Sequence, residues 1–355
     1  MSQTKVEAPF YNNGAPFKNK FINGDFQVHQ RFDGSAVTAS TGFQSFDRWK
    51  TVRSNTSANW TIEKETLNST DVAITGHKQA MEIKCTGTDT STGAAEYNVM
   101  YHAMEANTLQ DLNYGTSAAK SFTVSFWVRS YQTGTFVLGL AACDGVTYYN
   151  RIEYTINASN TWEHKTLVFS PTAGGTSLIT GSGGVIDNDN GQGMGFYFVL
   201  NAGSNYQGTN NVWTTGSIST SNQTNLFSST DNHWSITGVQ MEVGDQKTDF
   251  EYLPFDVQFH RCQRYHQRIT HRYRVVTRWN NNSGVPIGYM DFMQTMNHEP
   301  TITNSGTFES SSGYGQNPSY GGTTENGTYI AGAVSVGTNE TNFIHNGVSE
   351  MDAEL

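Results

Sequence analysis

Phe122-Thr123-Val124-Ser125-Phe126-Trp127-Val128-Arg129 decides the fold. Phe122, Val124, Phe126 and Val128 alternate with Thr123, Ser125, Trp127 and Arg129, the two-residue period of a strand with one face in a core. A Thr133-Gly134 turn leads from it into Phe136-Val137-Leu138-Gly139-Leu140. Further strand patterns follow at Tyr148 to Ile156, Trp162 to Phe169, Gly195 to Leu200 and Trp234 to Val243. Strands at this spacing, parted by Gly/Asn turns with no crossover helix pattern between them, predict an antiparallel sandwich rather than parallel βαβ units.

Composition points the same way. Of 355 residues, 35 are Gly, 17 Tyr, 20 Phe and 7 Trp, and only 15% are charged, a mix suited to turn-rich sheets and to more than one domain. The net charge of −10 argues against nucleic acid or an anionic membrane as partner, because both call for a basic face. No apolar run reaches the roughly 18 residues of a membrane span. Met1 to Pro9 has no basic stretch followed by an apolar one, so no secretory signal is expected and the chain is read as made in a cytoplasm. Cys85, Cys143 and Cys262 are too dispersed to form a CxxC pair or a disulfide framework, and buried thiols are expected.

The chain divides into four stretches. Residues 1–20, with Pro9, Gly14 and Pro16, read as an extended docking arm. Residues 21–255 hold the sandwich, which opens with aromatic and branched residues around Asn23-Gly24. Residues 256–270 read as a linking helix, with Val257, Cys262, Tyr265 and Ile269 along one stripe. Residues 271–355 form a smaller β-domain, too poor in large apolar residues for an independent core, so oligomerisation is expected there. Two polar stretches, Thr172 to Gly193 and Ala202 to Asn225, are read as loops at one end of the sandwich.

Several blocks occur in fixed order: Ile22-Asn23-Gly24-Asp25-Phe26-Gln27-Val28-His29-Gln30-Arg31, Phe46-Asp47-Arg48-Trp49, Ser125-Phe126-Trp127-Val128-Arg129-Ser130, Ile236 to Gly244 with Phe250-Glu251-Tyr252, and Cys262-Gln263-Arg264-Tyr265. Together they resemble a family of tailed-phage virion proteins, tail-fibre-like and abundant in marine phages, whose central module looks like a carbohydrate-binding jelly roll. The resemblance covers about residues 20–270. It implies a virion protein assembled with other virion proteins, and a structural calcium of the kind such jelly rolls hold. Gln27 stands where a Glu is common, and Gly238-Val239 where an acidic pair is common, which leaves Asp25 and Glu242 as the oxygen donors for that calcium. No other cofactor is implied.

The sequence shows no catalytic constellation: GxSxG, HExxH, a Walker loop and paired CxxC are all absent. Asp187-Asn188-Asp189-Asn190-Gly191 lacks the later Glu of a calcium loop and reads as a solvated turn. Glycoside cleavage would need two carboxylates about 5–10 Å apart, with Glu153, Glu163, Asp187 and Asp189 as the only candidates near the aromatic module. Binding asks less, since sugars offer apolar CH faces and hydroxyl edges to aromatic rings flanked by amides. Trp213 and Tyr206, among Asn205, Gln207, Asn210 and Asn211, are therefore the candidate glycan platform, against the alternative that Trp213 folds back over the sandwich end. Of the adjacent Tyr148 and Tyr149, one must point away from the core.

Arg261, Arg264, Arg268 and Arg272, with Arg274, Arg278, His260, His266 and His271, crowd one segment of an otherwise acidic chain and read as an assembly interface with a neighbouring subunit. Cys262 and His266 could share a metal on one helix face, though a buried thiol beside a surface imidazole is the plainer reading. The expectation is thus a non-enzymatic, all-β phage appendage subunit, a homotrimer, that recognises host surface glycan. A purely structural capsid decoration or tail-attached protein is the alternative, and a polysaccharide depolymerase the third.

Overall fold

The computed structural model describes residues 17–142, 144–277, 285–310, 319–332 and 341–355. Cys143, Arg278 and residues 1–16 of the expected arm lie outside them. The chain forms two compact units, Met1–Leu253 and Pro254–Leu355.

The first unit runs β1 (Val37–Thr38), β2 (Lys50–Ser54), β3 (Asn59–Thr66), α1 (Ser69–Thr75), β4 (Gln79–Gly87), β5 (Tyr97–Glu105), β6 (Phe122–Ser130), β7 (Gly134–Ala142), β8 (Tyr148–Ile156), β9 (Glu163–Phe169), β10 (Gln192–Ala202) and β11 (His233–Val243). One sheet has the order β1-β3-β4-β11-β6-β9 and the other β2-β5-β10-β7-β8, with antiparallel pairing throughout. This is a jelly-roll sandwich. Phe122, Val124, Phe126 and Val128 of β6 are all fully buried, facing Phe136, Leu138, Phe196 and Phe198 of the opposite sheet within one core cluster. Burial of so many rings, at about 25 cal/mol per Å² of apolar surface, is the dominant favourable term.

The Asn23-Gly24 block is not a strand but a buried knot of turns, with Asn23 and Phe26 both at positive φ. Asn23 Nδ2 donates to the carbonyls of Val28 (2.7 Å) and Asp47 (3.0 Å), its Oδ1 accepts from Val28 N (2.9 Å), and its carbonyl accepts from Trp49 Nε1 (3.0 Å). Asn is among the few residues that tolerate this backbone conformation and carry such hydrogen bonds. The adjacent Gly24 lies so close to β11 that a Cβ would meet the Val239 carbonyl oxygen at 2.0 Å. The Phe46-Asp47-Arg48-Trp49 block closes the same knot, with Arg48 Nη2 donating to the Ala103 carbonyl (2.7 Å). Residues 17–20 do not behave as a free arm: Asn19 is buried, and its Oδ1 accepts from Met241 N (3.0 Å) on β11.

In the second unit, helix α2 spans Phe255–Gln263, shorter than the stripe predicted, because the chain turns at Arg264-Tyr265 into strand β12 (His266–Thr277). His266 and Ile269 are therefore strand residues, and Cys262 and His266 do not share a helix face. The remaining strands are β13 (Val285–Asp291), β14 (Thr301–Ser310), β15 (Ser319–Thr324), β16 (Gly327–Gly332) and β17 (Thr341–Asp352). They form two three-stranded sheets, β12-β17-β14 and β13-β16-β15. Met290, Phe292, Met296, Met351 and Ala353 make their small core among the described residues.

Candidate functional site

The outward face of the five-stranded sheet carries a set of tyrosines, half-buried apart from the buried Tyr101. Phe196 and Phe198 of β10 enter the core, so alternation turns Tyr197 outward. One row across the strands reads Lys50, Tyr101, Tyr197, Gly139, Arg151, and the next reads Val52, Val99, Val199, Val137, Glu153. The rings of Tyr101 and Tyr197 stand 4.8 Å apart, and Tyr101 Oη donates to Gln192 Oε1 (2.6 Å). Tyr97 also stands on this face, half-buried, and the 203–225 segment brings Tyr206 against it at 4.6 Å between ring centroids. Burial, with the neighbouring hydroxyls of Tyr206 and Tyr149, pushes the Tyr97 phenol up, so the Tyr97 hydroxyl remains a neutral donor near neutral pH.

That segment does not sit at the end of the sandwich as expected; it crosses the sheet face. Arg151, fully buried, holds it: Nη2 donates to the Val212 carbonyl (2.5 Å) and Thr214 Oγ1 (2.8 Å), and Nη1 to the Gly216 carbonyl (3.3 Å). Residues 211–214 also line the free edge of β8, where Tyr149 N donates to the Thr214 carbonyl (2.7 Å) and Asn211 N to that of Arg151 (2.8 Å). An otherwise open edge is thereby covered. Gly139 is required beneath, since a Cβ there would lie 2.3 Å from the Ile218 carbonyl oxygen.

Between the crossing segment and β8 lies a pocket of about 580 Å³, lined by Glu153 and by residues 207–210 and 220–222. Glu153 Oε1 accepts from Asn222 Nδ2 (3.1 Å), and Asn210 Oδ1 accepts from Glu153 N (3.1 Å). Thr220, 2% exposed, lines the pocket with an Oγ1 that has no hydrogen-bond partner. Unsatisfied buried hydroxyls are costly, so such an atom marks a place where a ligand or water is accommodated. Glu153 is the one carboxylate of the lining, and no Lys or Arg lines it.

The structure separates the residues expected to form a platform. Tyr206 is on the face, but Trp213 is 1% exposed, its Nε1 donating to the Ser170 carbonyl (2.8 Å) and its ring set edge-on to Tyr114 at 6.3 Å. Its ring therefore offers no face to a ligand. Asn205 and Asn211 are exposed and do not line the pocket, whereas Asn210 and Gln207 do. Tyr97, Tyr101 and Tyr197 were missed. Tyr97 and Tyr101 lie on a strand whose alternation is masked by apolar residues on both faces, as in Val99-Met100-Tyr101, and Tyr197 lies within an apolar strand, Gly195 to Leu200, read as core.

The proposed calcium donors have protein partners. Glu242 accepts from Gln240 Nε2 (2.8 Å) and Thr248 N (3.0 Å) and lies 3.7 Å from Lys18 Nζ, while Asp25 accepts from Gln27 Nε2. A carboxylate facing an ammonium and filled by amide donors is a poor ligand for a hard cation. Among the described residues no three His, Cys, Asp or Glu side chains gather into one cluster.

Of the carboxylates considered for hydrolysis, Glu163 is engaged by Lys165 (2.6 Å), Ala158 N (2.9 Å), and Asn157 N and Nδ2 (2.7 Å each). Burial works to raise its pKa, but these donors prevail and hold it down to about 2. Asp189 Oδ1 accepts from Gly191 N (2.8 Å), and the acidic loop is otherwise tied by its backbone to Ala106, Asn107, Gln110 and Asp144. Arg268 meets Glu350 across the β12–β17 ladder at 3.4 Å, and Arg261 ends α2. Arg264 Nη2 reaches Asn297 Oδ1 at 3.5 Å, while the side chain of Arg272 lies outside the described portion.

No protein-family model matches the chain, and no curated protein matches it. Solved structures do. A candidate sugar-binding protein of Bacteroides thetaiotaomicron is similar over 63% of this chain and 99% of its own, at 10% identity and a TM-score of 0.35. The enzymatically active domain of tailspike protein 4 of bacteriophage CBA120 is similar over 64% of this chain, at 12% identity and a TM-score of 0.32; the match spans 22% of that domain's length. The C-terminal family 22 carbohydrate-binding module of Clostridium thermocellum Xyn10B is similar over 63% of this chain and 98% of its own, at 13% identity and a TM-score of 0.30.

Proposed function

We propose that this protein is a phage appendage subunit that binds host glycan on the outward face of its five-stranded sheet. The observation that carries the reading is the set of half-buried tyrosines, Tyr97, Tyr197 and Tyr206, on a face crossed by the segment that also walls a polar pocket beside β8. Rings held at fixed angles stack on the CH faces of pyranoses, and amides and a carboxylate take the hydroxyl edges. A single carboxylate in the pocket favours binding over acid–base hydrolysis, which needs two.

The virion placement rests on the ordered blocks quoted above. The multimer, a trimer by cyclic closure, is supported by the small core that the described residues of the second unit make and by the long outer strands β12 and β14 of one of its sheets. Adsorption of the purified protein to host cells, competed by host surface polysaccharide, tests the reading. Saturable, competed adsorption is expected. A folded multimer that binds neither cells nor polysaccharide would instead be a structural component of the particle.

A further inference from the structure

We infer that the pocket selects uncharged glycans and rejects acidic ones, with Glu153 as the specificity-determining residue; this rests on the glycan-binding reading above. The lining supplies amide and hydroxyl groups from Gln207, Asn210, Thr220 and Asn222, one carboxylate, and no cation to meet an anion. Glu153 Oε1 already accepts from Asn222, while the carboxylate keeps further acceptor capacity for sugar hydroxyls. A carboxylate-to-hydroxyl hydrogen bond is charge-assisted and roughly twice as strong as a neutral one. The same charge repels a uronate or sialate carboxylate held within a few ångströms in a partly desolvated pocket.

The nearby cation does not reverse this. Arg151 stands two residues before Glu153 on the same face of β8, but it is fully buried, its Nη1 and Nη2 donate to Val212, Thr214 and Gly216, and its Nε is enclosed without a partner. A Cβ on Gly208 would lie 2.1 Å from Arg151 Nη1, so the Gly208 backbone stands directly against that cation. Its part is to hold the segment that forms the pocket wall. Thr220 Oγ1, buried and unpartnered in the pocket wall, meets a sugar hydroxyl only if its side chain rotates toward the pocket.

The test is titration of the full-length protein with a matched pair of oligosaccharides, one neutral and one carrying uronate in place of the corresponding hexose. Glu153→Gln and Thr220→Val are titrated alongside, with thermal melts of all three proteins. The wild type is expected to bind the neutral chain at least about tenfold more tightly than the acidic one. E153Q should weaken neutral binding about tenfold and narrow the neutral-to-acidic ratio. T220V, isosteric and free of an unsatisfied hydroxyl, should keep or raise the melting temperature while weakening neutral binding. Equal wild-type affinity for both chains, or an unchanged ratio in E153Q, overturns the selectivity and leaves glycan binding intact. T220V binding like wild type removes the pocket from the site, and binding of neither chain overturns the parent reading as well.

Discussion

Trp213 and Tyr206 share one polar segment, yet the structure sends one ring into the core and leaves the other on the sheet face. The sequence shows that a large ring interrupts a polar run; it does not show which way the ring turns, because that depends on the distant Ser170 carbonyl and Tyr114. Trp213→Ala is therefore expected to cost stability, by about 3–5 kcal/mol as for other buried Trp truncations. Tyr206→Ala should leave the melt nearly unchanged and reduce glycan affinity roughly tenfold, the loss of one stacking contact. Both are read by thermal denaturation and by binding isotherms on the same samples. His77 gives a second residue-scale outcome. Burial, and to a lesser degree the neighbouring His164, lowers its pKa to about 4, so the folded state takes up the proton later than the unfolded chain, whose His titrates near 6.5. The stability tied to a neutral His77 is full above about pH 6.5, falls as pH drops, and is exhausted near pH 4, for a total of up to about 3 kcal/mol. Melts between pH 7 and pH 4 should fall less steeply for His77→Gln than for wild type; an equal fall would show that His77 does not contribute.

Strands β6 to β11 were legible because their patterns stand between clear turns, and β6 shows the full alternation of a half-buried strand. Strand β5 was not, since apolar residues fall on both of its faces, Val99, Met100 and Tyr101 standing in succession, so no two-residue period shows in the sequence. Missing β5 meant missing Tyr97 and Tyr101, and with them most of the candidate site. The α2 stripe was read too long, because the same apolar residues serve a helix up to Gln263 and a ladder from His266. The Asn23-Gly24 turn signal is legible, but its closure as a knot depends on distant partners: Val28, Asp47 and Trp49 bonded to Asn23, and β11, whose Val239 N donates to the Gly24 carbonyl at 2.8 Å. The 203–225 segment depends on Arg151, whose three acceptors on it span Val212 to Gly216. Arg151→Met, which keeps the apolar stem and removes the donors, should raise amide exchange across residues 208–216 and weaken glycan binding. Protection in the β6–β11 pair should stay unchanged. Exchange that rises uniformly would instead mean that Arg151 supports the whole sandwich.

At the scale of the molecule, the low charge, the aromatic content and the turn-rich strands foretold an all-β chain, and the structure is an antiparallel jelly roll followed by a second β unit. The location of the site was less legible, because it is built from residues far apart in sequence: Tyr97 and Tyr101, Arg151 and Glu153, Tyr197, and the 206–222 segment. Only the cross-strand register brings them to one face. The account's central claim is that this face, held by a rigid sandwich, binds sugar. The most direct measurement is a binding isotherm of the intact protein with host surface glycan, repeated with the Tyr97→Ala/Tyr206→Ala double variant after its melt has been shown to match wild type. The account predicts saturable binding by the wild type and at least about a tenfold loss in the double variant. Undiminished binding by a folded double variant, or none by the wild type, would contradict it.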